Sequence, residues 1–182
     1  MRTYISILRG INVSGHKMIK MDALKQLFFD LGFSKVQTYI QSGNVVFQSQ
    51  SQNTTEIATQ IEEKISEVFK FEVPVLVIEY EELKSIIAQN PFTKDQNKDV
   101  SFFHITFLKD KPNAENFNKI KDLQLNNDEF KLIDKTLYLY CPNGYGNTKL
   151  NNNFFENKLK TTATTRKWKT VNELLKIAEK LN

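Results

Sequence analysis

The chain has 182 residues, of which 40% are apolar, with 14 Phe and one Trp. That is enough apolar surface to build a core, so the composition excludes a disordered chain and allows one domain or two small ones. The single cysteine, Cys141, excludes an intramolecular disulfide framework. No apolar run approaches the ~18 residues of a membrane span, and Arg2 leads straight into an alternating strand. We therefore expect a soluble cytoplasmic protein with no signal peptide and no membrane contact.

The charges are distributed unevenly along the chain. The net charge is +4, made up of +4 in residues 1–20, −5 in residues 21–141 and +5 in residues 142–182. Positive ends around a negative middle favour an anionic partner for the two ends. The alternative is an ordinary solvated C-terminal helix that is rich in lysine.

The first half of the chain has the pattern of a β-α-β-β-α-β unit. Alternation and helical periodicity predict strands at Thr3–Leu8, Val36–Gln41, Asn44–Gln48 and Val73–Ile78, and helices around Leu24–Leu31 and Ile57–Phe69. Ser42-Gly43 indicates a two-residue hairpin turn, and Asn53 with Glu56 is typical of a capping box. Pro74 lacks a backbone donor, so the fourth strand is expected at a sheet edge.

The second half of the chain repeats this order after the polar run Thr93–Asp99. A short helix with Leu83, Ile86 and Ile87 precedes that run and ends before Asn90-Pro91. Strands are predicted at Phe102–Leu108, Glu129–Ile133, Thr136–Cys141 and Thr161–Thr165, and helices at Ala114–Leu123, around Leu150–Leu159 and from a cap at Thr170.

The predicted fold is α+β, a tandem pair of ferredoxin-like β-α-β-β-α-β units with antiparallel sheets and an extra C-terminal helix. The predicted domains are residues 1–92, the first unit with its short helix, and residues 100–182, the second unit with the C-terminal helix.

Two long loops carry both glycine and lysine. They are Arg9–Lys20, with Gly10 and Gly15, and Pro142–Lys149, with Gly144 and Gly146. Each runs into a helix N-terminus, where backbone N–H groups and a cation can hold an anion. The first loop follows the first strand of its unit, and the second loop follows the third strand of its unit. We take these two strands of a unit as adjacent and parallel, so both loops are expected at the same edge of their respective sheets. The alternative is that the glycines serve turns and the lysines are solvated, since neither loop matches a phosphate-binding motif.

Two further polar segments are candidates for binding. Arg166 can hold a phosphate or carboxylate, and Trp168 can stack on a base or ring. The alternative is a tryptophan packed between the units and an arginine that caps a helix or pairs with an acid. The turn Gln41–Asn44 is more polar than a hairpin requires.

Three segments resemble the bacterial family called domain of unknown function 1697. They are Tyr4–Val13, Tyr39–Phe47 and Thr165–Trp168. The family pattern has asparagine where this chain has Lys167, so no role is assigned to that residue. The resemblance implies no reaction, but it favours a ligand at these segments. The expected ligand-binding residues are Arg9, Gly10, Asn12, Gly15, Lys17, Gln41, Ser42, Asn44, Gly144, Gly146, Lys149, Arg166 and Trp168.

Three functions remain open. The first is binding of an anionic ligand, phosphorylated or nucleotide-like, with Arg9, Lys17, Lys149 and Arg166 converging on it. The second is binding of single-stranded nucleic acid, with bases stacked on a strand face that carries aromatic residues, Tyr138 and Tyr140. The third is a protein-interaction scaffold without a small ligand.

No catalytic or metal-binding constellation is evident in the sequence. Ser42 and Cys141 lack an identifiable base, and Cys141 is expected to be a buried, inert thiol. The two histidines, His16 and His104, have no ligand spacing around them. We therefore expect no metal and no cofactor, while the sequence leaves open whether the protein is an enzyme and what its oligomeric state is.

Overall fold

The computed structural model describes all residues from Met1 to Asn182. The chain forms two compact units, the first made of Met1–Ser85 with Glu173–Asn182 and the second of Ile86–Asn172. Each unit contains one four-stranded antiparallel sheet. The predicted domain boundaries, residues 1–92 and 100–182, stay a prediction. Every helix is too short or too polar to cross a membrane.

The first unit follows the predicted β-α-β-β-α-β order. Its elements are β1 (Arg2–Leu8), α1 (Met21–Asp30), β2 (Ser34–Tyr39), β3 (Asn44–Ser49), α2 (Thr54–Phe69), β4 (Val75–Glu79) and α3 (Tyr80–Ala88), which continues into the second unit. The strand order in the sheet is β2-β3-β1-β4. Strand β4 is therefore an edge strand, as Pro74 predicts.

The predicted apolar faces of α1 and α2 cover this sheet. Ile57, Ile61 and Ile65 of α2 are buried, and the ring of Phe28 in α1 meets that of Phe47 edge-on at 5.1 Å. Asn53 caps α2 by accepting hydrogen bonds from the backbone of residues 55 and 56, at 3.1 and 3.2 Å. The core of this unit thus follows from helical periodicity and one cap.

The second unit has the same element order. Its elements are β5 (Phe103–Leu108), α4 (Ala114–Asn118), β6 (Glu129–Ile133), β7 (Thr136–Tyr140), α5 (Asn152–Leu159), β8 (Ala163–Lys167) and α6 (Trp168–Leu181), whose end belongs to the first unit. The strand order is β6-β7-β5-β8. Helix α4 is shorter than predicted, and β8 lies two residues later. The cap predicted at Thr170 is wrong, because β8 passes directly into α6 at Trp168.

The central strands of both sheets pair antiparallel, so the parallel arrangement assumed in the sequence analysis is wrong. Ile5 lies opposite Val46 in β1 and β3, and Ile105 lies opposite Tyr138 in β5 and β7. The reason is topological: the crossover through the first helix restores the strand direction, and the hairpin that follows reverses it. The loop after β1 therefore lies beside the β2–β3 turn, whereas the loop after β7 lies at the start of β5.

Candidate functional site

Five residues of the loop Arg9–Lys20 have a left-handed backbone conformation. Positive φ angles occur at Gly10 (74°), Asn12 (55°), Ser14 (49°), Gly15 (76°) and Lys17 (47°). A side chain added at Gly10 or Gly15 would meet no atom within 4 Å. These two glycines therefore serve the turn itself, and nothing in the unit approaches their Cα atoms closely.

Asn12 holds the loop together with its side-chain amide. Its Oδ1 accepts from the backbone N–H of Ile19 at 2.8 Å, and its Nδ2 donates to the carbonyls of Ile19 at 3.0 Å and Gln41 at 2.8 Å. The loop is thereby tied both to its own end and to the β2–β3 turn. Asn12 is thus engaged by the chain and positions the site.

The β2–β3 connection is a four-residue turn, Ile40–Gly43, and the predicted two-residue hairpin is wrong. Gly43 has a φ of 81°, and a Cβ built there would lie 2.6 Å from Cδ1 of Ile11. Its carbonyl accepts from the backbone of Leu8 at 2.9 Å. Asn44 is fully buried and donates to the hydroxyl of Ser42 at 3.0 Å, so both shape the turn.

An open cavity of about 600 Å³ lies where this loop enters α1. It is lined by Met18, Ile19, Lys20, Met21, Asp22 and Gln41. The N-cap residue of α1 is Lys20, and no side chain caps the first turn. The cavity therefore adjoins a helix end whose first amides have no side-chain acceptor.

The other predicted residues of this unit are placed as follows. Arg9 is half-buried at the start of the loop, and its backbone N–H donates to Pro74 at 2.9 Å. Lys17 is exposed, and its Nζ donates to the carbonyl of Glu72 at 2.6 Å. Of the predicted ligand-binding residues, only Gln41 lines the cavity.

The second loop differs from the first in the capping of the helix that follows it. Asn151 caps α5 by accepting from the backbone of Phe154 at 2.9 Å. Lys149 lines a separate cavity of about 140 Å³, together with Gln124, Leu125, Asn126, Asp128, Asn143 and Asn147. Gly144 has a φ of 88°, while Gly146 has an ordinary backbone conformation. Because the first turn of α5 is capped and that of α1 is not, this loop is the weaker anion site of the two.

Arg166 and Trp168 both contact their own unit. Arg166 is 9% exposed on β8, and its guanidinium donates to the carbonyl of Thr165 at 3.0 Å. Trp168 is half-buried, and its ring meets that of Phe103 edge-on, with the ring centres 6.3 Å apart. These surroundings match packing roles better than an open ligand wall.

The predicted base-stacking face is covered. Tyr138 is 1% exposed, its hydroxyl donates to the carbonyl of Ile86 at 2.8 Å, and burial raises its pKa to about 12. The ammonium of Lys98 lies 4.4 Å from the centre of the Tyr140 ring. A base stacked on Tyr138 would first have to displace this covering.

Ser42 and Cys141, the two side chains that were weighed as nucleophiles, each form a hydrogen bond with a neighbouring residue. The Ser42 hydroxyl accepts from Asn44. Burial raises the pKa of the Cys141 thiol to about 11, with a further rise from the charge of Asp128 that a hydrogen bond with Thr148 opposes. No group of three or more His, Cys, Asp or Glu side chains is arranged to hold a metal ion.

Sequence reasoning missed most of the cavity beside α1. Two features of the sequence pointed to it: Lys20 is a poor N-cap residue, and Met18 is an apolar residue in a polar loop. In the structure Met18 is 61% exposed. Neither feature says that the two residues share a cavity, because that depends on the path of the loop.

Comparison with known proteins places the chain in a family. The family described as "Protein of unknown function (DUF1697)" matches residues 1–138, and the chain belongs to it. A solved structure, that of the conserved bacterial protein SP0830 from Streptococcus pneumoniae, is similar at a TM-score of 0.76 and 20% identity, covering 97% of this chain and 98% of that one. This similarity shows the fold alone. No curated protein matches the chain.

Proposed function

We propose that the protein binds an anionic small molecule, phosphorylated or nucleotide-like, in the cavity at the start of α1. The observation that carries the proposal is the uncapped first turn of α1 opening on a cavity of about 600 Å³. The amides and dipole of a helix N-terminus attract negative charge, and Lys20 adds a full positive charge beside them. Asp22 lines the same cavity and opposes this attraction, which gives the proposal a second test.

The apolar lining supports a ligand with a ring or base as well as an anionic group. Met18, Ile19 and Met21 contribute methyl, methylene and thioether surface to the cavity. Methionine adapts its shape to a flat ligand because its side chain is unbranched and polarizable. Gln41 is exposed at the rim and supplies an amide that can donate or accept.

The support behind the cavity favours preorganised binding. Asn12 ties the loop to Gln41, and Gly43 packs against Ile11. A loop that is already ordered loses little entropy when a ligand arrives. Asn12, which the sequence assigned to binding, thus supports the cavity, while residues 18–22 and Gln41 would touch the ligand.

The remaining sequence predictions stay proposals. We propose that the two units are ferredoxin-like and arose by duplication, supported by their equal element order and strand order. Arg9, Gly10, Gly15, Lys17, Gly144, Gly146, Lys149, Arg166 and Trp168 remain predicted ligand residues. A cytoplasmic location also remains a proposal.

The test is a screen of nucleotides and inorganic phosphate by thermal unfolding, followed by titration of any ligand that stabilises the protein. Lys20→Asp should abolish binding, because the new side chain caps α1 and places a negative charge where the anion would sit. Asp22→Asn should tighten binding several-fold. Lys25→Glu is the matched control, since it makes the same kind of charge change later in α1.

Unchanged binding in Lys20→Asp would contradict the proposal. The alternative function is binding of single-stranded nucleic acid. It would be supported if the protein bound a single strand and no small ligand, with an affinity that falls steeply as the salt concentration rises.

A further inference from the structure

The ammonium of Lys98 is enclosed by aromatic rings and carboxylates of the second unit. Its Nζ lies 4.4 Å from the ring centre of Tyr140 and 5.7 Å from that of Phe92. It donates to Glu129 at 2.5 Å and lies 3.7 Å from Asp95. The side chain is only 15% exposed. This enclosure is far tighter than the usual environment of a surface lysine.

The aromatic part of the enclosure is held by the sheet and by one 3-10 turn. The rings of Phe92 and Tyr140 lie 6.3 Å apart and meet at 45°, with the Phe103 ring behind them, 6.0 Å from each. Phe92 and Phe103 are 2% and 1% exposed. Glu129 is opposite Tyr140 in the β6–β7 pairing, so its carboxylate stands beside the ring. The three rings therefore pack on one another independently of the Lys98 side chain.

Ring faces and a carboxylate form the environment that attracts an organic ammonium group. The ring faces carry negative charge density, and the carboxylate accepts hydrogen bonds from the N–H groups. The hydrogen bond to Glu129 raises the pKa of Lys98 above its ordinary value, and the charges of Glu129 and Asp95 act in the same direction against burial. The enclosure therefore favours a protonated amine.

We propose that Phe92, Tyr140 and Glu129 form a binding site for a small aliphatic amine in its ammonium form, and that Lys98 occupies this site in cis. Lys98 and Asp95 both lie in the polar run Thr93–Asp99 and beyond the 3-10 turn Pro91–Lys94 that carries Phe92, so in this proposal they leave together while the rings and Glu129 stay. This makes the run a competitor of the amine. The metal alternative is disfavoured, because no three acidic or imidazole side chains gather there.

A tethered lysine competes as though it were present at roughly millimolar concentration. Wild-type protein should therefore bind a free amine at least about tenfold more weakly than a variant that lacks the Lys98 ammonium. The site would respond only to amines abundant enough to displace the tether.

The experiment uses n-propylammonium, which replaces the part of the side chain that Lys98→Ala removes. The full-length protein is titrated, and binding is followed by the NMR shifts of the Glu129 and Tyr140 amides. We expect saturable shifts in Lys98→Ala and at least about tenfold weaker binding in wild type. Neutral 1-propanol, which has the same shape, should cause no saturable shift. Sodium chloride is added to the 1-propanol titration so that its ionic strength equals that of the n-propylammonium titration.

Lys131→Ala is the matched control, because Lys131 also lies over the Phe92 ring, at 5.6 Å, and its removal leaves Lys98 in place. It should behave as wild type does. Glu129→Gln and Tyr140→Leu, each combined with Lys98→Ala, should weaken binding of the amine. Loss of the site in both combinations would confirm that the ring and the carboxylate hold the ammonium.

The proposal is overturned if folded Lys98→Ala shows no saturable shift, if propanol acts as the amine does, or if Lys131→Ala opens the site equally. Lys98→Gln serves as a second variant, since it keeps a hydrogen bond to Glu129 and removes the charge. Unfolding of both Lys98 variants would show that the lysine is a structural tie that no ligand replaces, and would also overturn the proposal.

Discussion

The side-chain amide of Asn12 donates a hydrogen bond to the backbone carbonyl of Gln41 at 2.8 Å. This bond joins the loop after β1 to the turn before β3, two segments 29 residues apart. The cavity beside α1 has residues of both segments in its wall. The geometry of the candidate site therefore depends on a residue that does not line it.

Replacing Asn12 by alanine should destabilise the protein by about 3 kcal/mol. The change removes three hydrogen bonds and leaves the buried N–H of Ile19 without its acceptor. Alanine also tolerates the φ of 55° at this position less well than asparagine does. Urea unfolding measures the loss, and Gln52→Ala in the exposed turn before α2 is the control. A loss near zero would show that the loop holds its path without this side chain.

Gly43→Ala should cost about 3 kcal/mol or more, because the new Cβ would lie 2.9 Å from Cβ of Leu8, which cannot move without its strand. Gly15→Ala is the matched comparison. Its φ of 76° is similar, but the added Cβ meets nothing within 4 Å, so only the backbone cost of about 1 kcal/mol applies. Equal losses in the two variants, measured by urea unfolding, would contradict the close packing at Gly43.

Stability should fall as the solution is acidified, because of His104. Burial lowers the pKa of this histidine below 6.5, and the charge of Lys167 lowers it further, while a bond to the carbonyl of Phe102 partly opposes the shift. The unfolded chain then binds the proton first as pH falls. The stabilisation present above pH 6.5 is lost between that value and the folded pKa, with a slope of at most about 1.4 kcal/mol per pH unit.

Unfolding free energies between about pH 7.5 and about pH 5 measure this slope. His104→Gln should flatten the dependence in that window. His16→Gln is the control, because His16 lies exposed at the loop tip. A slope that survives in His104→Gln would assign it to other groups.

Cys141 should not react with a thiol reagent while the protein is folded. Burial and the neighbouring Asp128 raise its pKa to about 11, so the thiolate is scarce and enclosed. Ellman-type labelling at about pH 8, with and without denaturant, compares the folded and unfolded thiol. Rapid stoichiometric labelling of the folded protein would contradict this environment. We also expect that no hydrolytic activity of the protein depends on Ser42 or Cys141. Any such activity should therefore survive in Ser42→Ala and in Cys141→Ala.

The local elements were predictable from the sequence. The buried stripe of α2, the Asn53 cap and the edge position of β4 after Pro74 all depend on residues within a few positions of one another. Periodicity and capping are set by such neighbours, so single segments carry the information. The family was also evident from short motifs, two of which, Tyr4–Val13 and Tyr39–Phe47, lie within the matched residues 1–138.

Which residues come together at the candidate sites was decided by the tertiary structure. Lys98 meets Glu129 across 31 residues and lies over Tyr140, and no local pattern links the three. We had assumed parallel central strands, and we therefore expected each glycine loop at the same edge of its own sheet. Antiparallel pairing instead put the first loop beside the β2–β3 turn. Contacts between distant segments depend on strand direction and register, and those are fixed only when the whole sheet packs.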